Sequence, residues 1–436
     1  MSAIALVLSA MGHTVSGSDL KESVVAERLR SHGIAVAVGH REENLGAIDA
    51  VTYSPAVPES NPEIMAAREG GVLVVPRSGT LAAICATRRC LAVAGTHGKT
   101  TTASMLSLIL VEAGMRPSFV IGADVNEVGT NAVWDQGEWL VVEADESYGT
   151  FQAIQPDVAV LTNVEPDHLD FYGTFEQLRG AFGAFVAGAR EGAVVSADDR
   201  HAASIGQQYD SISVGLEEGA TYAMADMAQS RSSVSFSLRG PDGPLGVLRV
   251  GVPGLHNARN AAMATVAAMR AGAPFGAAQS ALARFTGVTR RFEFRGEANG
   301  VTFVDDYAHL PSEVRAVLAT AKAGGWDRVV AVFQPHRFSR TAALALQFGT
   351  AFADADALVV TDIYSAGEDP VPGVSGRLVA DAVRTQDPRL PVTYAPGWEE
   401  MRRTVASMLR PGDLCFTMGA GDLTTLPDQL MESPEW

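Results

Sequence analysis

Through its first 88 residues the chain alternates segments with apolar positions at helical spacing and short runs of largely apolar residues. Helices are predicted over 2–11, 22–31, 62–69 and 80–87, and strands over 13–18, 35–39, 50–54 and 72–75. This alternation predicts a parallel sheet with helices on both faces. The series opens on a helix, whereas in a doubly wound domain the first strand lies at the sheet centre and its outgoing turn carries a glycine-rich phosphate loop. Strands flanking an absent centre would lose ladder partners that buried backbone groups need. The start is therefore expected to be truncated, with Met1 an internal methionine.

The pattern then changes. Apolar residues 90–94 predict a buried strand, and Gly95-Thr96-His97-Gly98-Lys99-Thr100-Thr101-Thr102 leads from it into an apolar helix. Backbone N–H groups of such a turn converge on phosphate oxygens, Lys99 adds positive charge, and the hydroxyl of Thr100 is the usual ligand of the accompanying Mg²⁺. Val93 stands where the common phosphate-loop pattern has its first glycine, so the motif is a shortened relative of it. Two further strands end in ionisable residues: Leu140-Val141-Val142 runs into Glu143-Ala144-Asp145-Glu146, and residues 158–164 run into Glu165-Pro166-Asp167-His168. Carboxyl ends of strands are where open α/β sheets bind ligands. Glu143 is placed to supply a hard oxygen to a divalent cation, which would also relieve the acidic run. His168 either ligates a second metal or caps the turn after Pro166.

Residues 211–252, rich in Ser, Val and Gly, read as a small antiparallel insertion. Asn257 and Asn260, at i and i+3, share a face at the start of an alanine-rich helix, where an amide either caps the helix or reads an adenine edge. Arg290 and Arg291 precede a third α/β section with strands near 301–307, 328–333, 357–361 and 413–417; a phosphate contact on closure and a solvated charge pair are both open to them.

Composition narrows the class. The 436 residues predict two to four domains, and 47% hydrophobic content with 43 glycines suits α/β layers. A net charge of -17 argues against nucleic-acid or anionic-membrane binding, which needs a basic face. Three cysteines form neither a disulfide framework nor a zinc pattern, which suits a reducing cytoplasm. No apolar run approaches the roughly 18 to 20 residues that span a bilayer.

Taken in order, the 95–102 loop, Glu143-Ala144-Asp145-Glu146-Ser147, residues 162–170, His256-Asn257, Arg290-Arg291-Phe292-Glu293, Asp305-Asp306-Tyr307-Ala308-His309 and Gln334-Pro335-His336-Arg337-Phe338-Ser339-Arg340-Thr341 resemble the Mur ligases. The likeness runs from Met1 to about Gly421 and is strongest with the branch that handles L-alanine. It implies three α/β domains: a truncated Rossmann-like UDP-sugar domain at 1–88, a central phosphate-loop ATPase-type domain at 89–297, and a Rossmann-like domain at 298–436. It implies ATP-driven phosphorylation of the lactyl carboxylate of UDP-N-acetylmuramate and capture of the acyl phosphate by L-alanine, in peptidoglycan precursor synthesis.

Carried over by motif, Gly95, Thr96, His97, Gly98, Lys99, Thr100 and Thr101 would hold the triphosphate. Asn257 with Asp305 or Asp306 would contact adenosine, and Arg290 or Arg291 the phosphates. Thr100, Glu143 and His168 would bind metal, Mg²⁺ at the first site and Mg²⁺ or Mn²⁺ at the second. Tyr307, His309, His336, Arg337 and Arg340 would line the L-alanine pocket, with Lys99, Glu143, His168, His309 and Arg337 nearest the chemistry. Asp19 would meet a ribose hydroxyl and Ser54 the uridine. Closure of the last section would assemble the site, in a monomer or weak homodimer.

Two departures stand out: Leu310 replaces a common second histidine, and Tyr148 a common aspartate. The resemblance also implies that the missing loop would hold the UDP diphosphate. Alternatives are a tripeptide-recycling ligase, a folylpolyglutamate synthetase, and a nucleotide-binding scaffold without turnover. Lys99→Ala is expected to abolish turnover and leave the fold largely intact.

Overall fold

The computed structural model describes residues 1–216 and 218–433. Two compact units divide the chain, one formed by Met1–Asp226, Phe236–Leu248 and Arg259–Phe285, the other by Met227–Ser235, Arg249–Ala258 and the chain from Thr286 onward.

In the first unit the opening segment follows the predicted alternation closely: α1 (Ser2–Ala10), β1 (Ser16–Asp19), α2 (Val24–Ser31), β2 (Ala35–Val38), β3 (Ala50–Tyr53), α3 (Pro62–Glu69), β4 (Leu73–Pro76) and α4 (Arg77–Cys85). The single parallel sheet expected from the sequence is not formed. β1 pairs only with β2 and β3 only with β4, both parallel, because no described strand lies between them to carry the ladder across. Glu63 on α3 links the two pairs instead: its carboxylate accepts from Ser18 Oγ at 2.6 Å, Asn44 Nδ2 at 2.6 Å and Arg41 N at 3.2 Å. Ile4 and Val7 of α1 and Leu81, Ile84 and Cys85 of α4 are buried in one core with the strands that follow.

Those strands begin with β5 (Arg89–Ala94), leading into α5 (Lys99–Glu112), β6 (Ser118–Val125), β7 (Thr130–Val133), β8 (Trp139–Glu143) and β9 (Val158–Leu161). Then come α6 (Leu169–Tyr172), α7 (Phe175–Ala187), β10 (Ala193–Ser196), α8 (Arg200–Gln208), β11 (Ile212–Gly215), β12 (Tyr222–Gln229), β13 (Val234–Gly240), β14 (Gly243–Val250), α9 (Leu255–Arg270) and α10 (Phe275–Arg284). The sheet order is β14-β13-β12-β11-β10-β9-β5-β8-β6-β7. The 211–252 segment is thus no separate insertion: β11 and β12 continue the sheet in parallel, because Ile212–Gly215 finds the free edge of β10. Residues Cys90–Ala94 are fully buried, as a strand covered on both faces requires. β5 lies between β8 and β9, both parallel to it, so the carboxyl ends carrying Gly95, Glu143 and Thr162 are neighbours. Connections leave β5 toward β8 and β6 on one side and β9 and β10 on the other, which makes its carboxyl end a topological switch point.

The second unit holds β15 (Glu293–Ala298), β16 (Val301–Asp306), α11 (Pro311–Ala323), β17 (Arg328–Phe333), α12 (Phe338–Phe348), β18 (Ala357–Val360), α13 (Arg377–Gln386), β19 (Val392–Tyr394), α14 (Trp398–Met408), β20 (Asp413–Met418) and α15 (Leu426–Glu432). Its sheet runs β15-β16-β20-β17-β18-β19, parallel apart from the antiparallel β15. Apolar cores cover both faces: Val314, Leu318, Phe348, Phe352 and Val383 on one, Met401, Val405, Leu426 and Leu430 on the other. This is the doubly wound arrangement the sequence predicts.

Candidate functional site

Gly95 sits at φ +132°, and a Cβ there would lie 2.1 Å from Thr162 Oγ1, so only glycine lets the loop close against the end of β9. That strand end holds the loop: Thr96 N donates to Asn163 O at 3.1 Å, His97 N to Asn163 Oδ1 at 2.8 Å, and Thr162 Oγ1 and Asn163 Nδ2 both donate to His97 O. The His97 ring is drawn to Glu165, at 3.1 Å. Gly98, at φ +79°, caps α5, and a Cβ on it would sit 2.6 Å from Asn260 Oδ1. The Asn260 amide therefore packs directly on the loop, although the sequence singled out Asn257 of the pair. Thr101, next in the loop sequence, is buried within α5.

Lys99 Nζ donates to Gly95 O at 2.7 Å and to both oxygens of Glu146, at 2.7 and 3.0 Å. Burial alone would lower the lysine pKa, but Glu146, Asp145 and Glu143 outweigh it and hold the ammonium above its ordinary value. Burial raises Glu146, opposed by Lys99 and reinforced by Asp145. Thr100 Oγ1 donates to Glu143 Oε1 at 2.9 Å, and Gly122 N to Glu143 Oε2 at 2.7 Å. A hydroxyl and a carboxylate side by side, among three acidic residues facing one lysine, form a hard-oxygen donor set that fits Mg²⁺. His168 lies at φ +52° at the start of α6, its Nε2 3.1 Å from Ser147 Oγ. Among the described residues no three His, Cys, Asp or Glu side chains gather into a ready-made cage, so any cation here must complete its shell with water or ligand oxygens.

In the second unit, Asp305 and Asp306 end β16 but turn inward. Asp305 accepts from Thr417 Oγ1 at 2.6 Å, Thr424 Oγ1 at 2.7 Å and Arg290 Nε at 3.3 Å. Asp306 accepts from Phe292 N and Ala308 N, each at 2.7 Å. Their work in this structure is to fix the turns that carry Arg290, Arg291 and Tyr307. Burial, opposed by Arg291 and the two N–H donors, pushes Asp306 up to about 7. The folded form then keeps a proton the unfolded chain releases, so this group's contribution to stability falls as pH rises from about 4 to about 7. Both guanidinium groups lie 5.1 Å from the Tyr307 ring centre.

Tyr307, His309, His336 and Tyr364 follow one another ring to ring, at 5.4, 5.7 and 5.8 Å. His309 Nδ1 is 3.0 Å from Tyr307 O and 3.3 Å from Glu313. Glu313 also accepts from the backbone N–H of His309 and Leu310 and so caps α11, while Leu310 is itself buried. Arg340 donates to His336 Nδ1 at 3.0 Å. Burial, with His309, Arg340 and Arg337 adding to it, lowers His336 to about 3. The ring is therefore neutral at working pH and carries its proton on Nε2. Its NMR resonances are expected not to titrate between pH 5 and 8, and a midpoint near 6.5 would remove this assignment. Arg337, just before α12, lies at φ +70°, ψ 140°, and its buried Nε has no hydrogen-bond partner among the described residues.

The remaining expected residues are tied locally. Asp19, at the end of β1, is exposed and accepts from Lys21 N; Ser54 Oγ accepts from Ala56 N after β3. Asn257 donates to Pro253 O at 2.6 Å, one turn back on its own segment. Sequence reasoning missed Glu146 as the lysine's partner and Asn260 as the loop's neighbour. The acidic run and the i, i+3 spacing were the available signals.

Known family descriptions match the chain in three stretches. Residues 1–89 match the Mur ligase family catalytic domain, 93–268 the Mur ligase middle domain, and 290–421 the Mur ligase glutamate ligase domain. The chain is 41% identical over 437 residues to UDP-N-acetylmuramate–L-alanine ligase of Pelotomaculum thermopropionicum, covering 99% of this chain and 95% of the relative. It is 44% identical to the Saccharopolyspora erythraea protein of the same name, covering 100% and 91%. UDP-N-acetylmuramate-alanine ligase from Thermotoga maritima superposes with a TM-score of 0.84 at 28% identity, over 99% of this chain and 96% of that one. A murein peptide ligase from Psychrobacter arcticus shares the fold with a TM-score of 0.71 at 23% identity, covering 99% and 95%.

Proposed function

Since the chain belongs to the Mur ligase family, we propose that it joins L-alanine to the lactyl carboxylate of UDP-N-acetylmuramate in an ATP-dependent, ADP-forming reaction of peptidoglycan synthesis. The observation that carries the reaction type is the meeting of Lys99, Thr100, Glu143 and Glu146 at the neighbouring ends of β5 and β8. The substrates rest on the near full-length likeness to ligases of that name.

Phosphoryl transfer demands positioning and neutralised charge on the transferred group. Lys99, kept protonated and aimed by Glu146, would lie over the β- and γ-phosphates while the loop N–H groups hold them. Thr100 and Glu143 would hold Mg²⁺, which when bound supplies further neutralisation of the phosphate oxygens, and His168 would face a second divalent cation, Mg²⁺ or Mn²⁺. The lactyl carboxylate attacks the γ-phosphorus, the bond to the bridging oxygen of ADP breaks, and an acyl phosphate forms. The neutral amine of L-alanine then attacks the acyl carbon, and inorganic phosphate leaves. Arg337 and Arg340 would clamp the amino acid's carboxylate, a planar bidentate task suited to guanidinium. Tyr307, His309 and neutral His336 would line the amine side. No described helix is long and apolar enough to cross a membrane, and we place the reaction in the cytoplasm.

A coupled ADP-release assay tests this. Release is expected to require UDP-N-acetylmuramate together with an amino acid, with L-alanine preferred over glycine and L-serine. A strict need for a tripeptide, or ADP release without the nucleotide sugar, would overturn the proposal.

A further inference from the structure

Tyr148 and Gly149 lie in consecutive left-handed conformations, at φ 54°, ψ 26° and φ 65°, ψ 17°. An aromatic residue adopts this conformation only at a cost, and such outliers persist where the surroundings impose them. Here the surroundings are aromatic. Phe171 packs over Gly149, where a Cβ would come within 3.2 Å of its ring, and meets Tyr148 edge to face at 6.1 Å and Tyr172 at 5.0 Å. Yet Tyr148 remains 52% and Phe171 49% exposed. Two large rings are thus held in fixed orientation with about half of each facing solvent.

Their position is as informative as their exposure. Ser147, just before Tyr148, contacts His168 Nε2; Phe171 N donates to His168 O at 3.0 Å; and Tyr172 Oη donates at 2.7 Å to the backbone of Glu146, the partner of Lys99. The two segments that carry the rings are therefore tied to Glu146 and His168 beside the phosphate loop. We propose that Tyr148 and Phe171 form a platform for the pyranose ring of the nucleotide sugar, an inference that rests on the substrate reading above. The lactyl group is joined to that ring by an ether, so a carboxylate activated at the Lys99 loop brings the pyranose to its immediate surroundings. Uracil lies a ribose and a diphosphate farther away. The electron-rich ring faces suit the weakly positive C–H face of a sugar, and the Tyr148 hydroxyl offers a polar rim. Rigid rings also lose little entropy on binding.

Calorimetric titration with UDP-N-acetylmuramate, UDP and a non-hydrolysable ATP analogue tests the platform. Phe171→Ala and Tyr148→Asn, the latter chosen because asparagine tolerates the left-handed region, are each expected to weaken UDP-N-acetylmuramate binding about tenfold. Affinity for UDP and for the ATP analogue should stay within about twofold, and Phe171→Tyr should bind the nucleotide sugar as the parent does. Equal weakening of UDP would assign the rings to uracil, weakening of the ATP analogue to adenine, and unchanged binding to neither; each result overturns the platform alone. A parent protein that neither binds nor turns over UDP-N-acetylmuramate would remove the underlying substrate reading as well.

Discussion

Lys99→Ala is expected to lower kcat by about a thousandfold and to lower the melting temperature at the same time. The loss of rate follows from the proposed role of this ammonium, which donates to the Gly95 and Thr96 carbonyls at the phosphate loop and would neutralise the transferred group. The loss of stability is a point on which structure and sequence diverge. A phosphate-loop lysine read from sequence has its work only at the ligand, so its removal should spare the fold. In the structure the same ammonium neutralises Glu146, a side chain only 2% exposed, with Asp145 and Glu143 nearby. Removing one partner of a buried pair costs about 3–5 kcal/mol, lessened here to the extent that Glu146 takes up a proton. A Lys99→Met, Glu146→Gln double variant separates the two effects. It should recover most of the melting temperature and none of the turnover. Recovery of turnover in the double variant, or near-normal turnover in Lys99→Ala, would show that the lysine does not serve the phosphates.

Much of this was legible because local physics and tertiary structure agree. Strands covered on both faces are largely apolar, so β5, β8 and β9 announce themselves, and residues at or just past their carboxyl ends, such as Gly95, Glu143 and Thr162, lie where open α/β sheets bind ligands. What stayed hidden depended on partners remote in sequence. Nothing in residues 211–252 says that Ile212–Gly215 will find the free edge of β10 and extend the central sheet. Nothing around Asp305 and Asp306 shows that Thr417, Thr424 and the Phe292 and Ala308 amides will turn both carboxylates inward. Backbone strain at Tyr148 and Arg337 is equally invisible, because no residue type requires it. It is imposed by packing.

Arg337 carries the second large expectation. Its φ of +70° is a conformation in which a non-glycine residue costs about 1–3 kcal/mol, and the buried Nε adds a donor without a partner among the described residues. Backbone bonds hold it there: Arg337 N donates to Tyr364 O at 2.9 Å, and Thr341 N and Oγ1 donate back to Arg337 O. The proposed carboxylate contact would fall to the terminal nitrogens of this guanidinium, whose backbone frame is fixed. Arg337→Gly should therefore raise the melting temperature slightly by relieving the strain, while raising KM for L-alanine about a hundredfold, in line with the loss of a bidentate charged contact. Arg337→Lys should fail to restore KM, because an ammonium presents a point charge where two parallel N–H donors are needed. KM for ATP, measured in the same variants, separates an amino-acid role from a general collapse of the unit. If lysine serves as well as arginine, or if glycine at 337 leaves KM for L-alanine unchanged, the strain belongs to the α12 turn itself and the carboxylate must be held elsewhere.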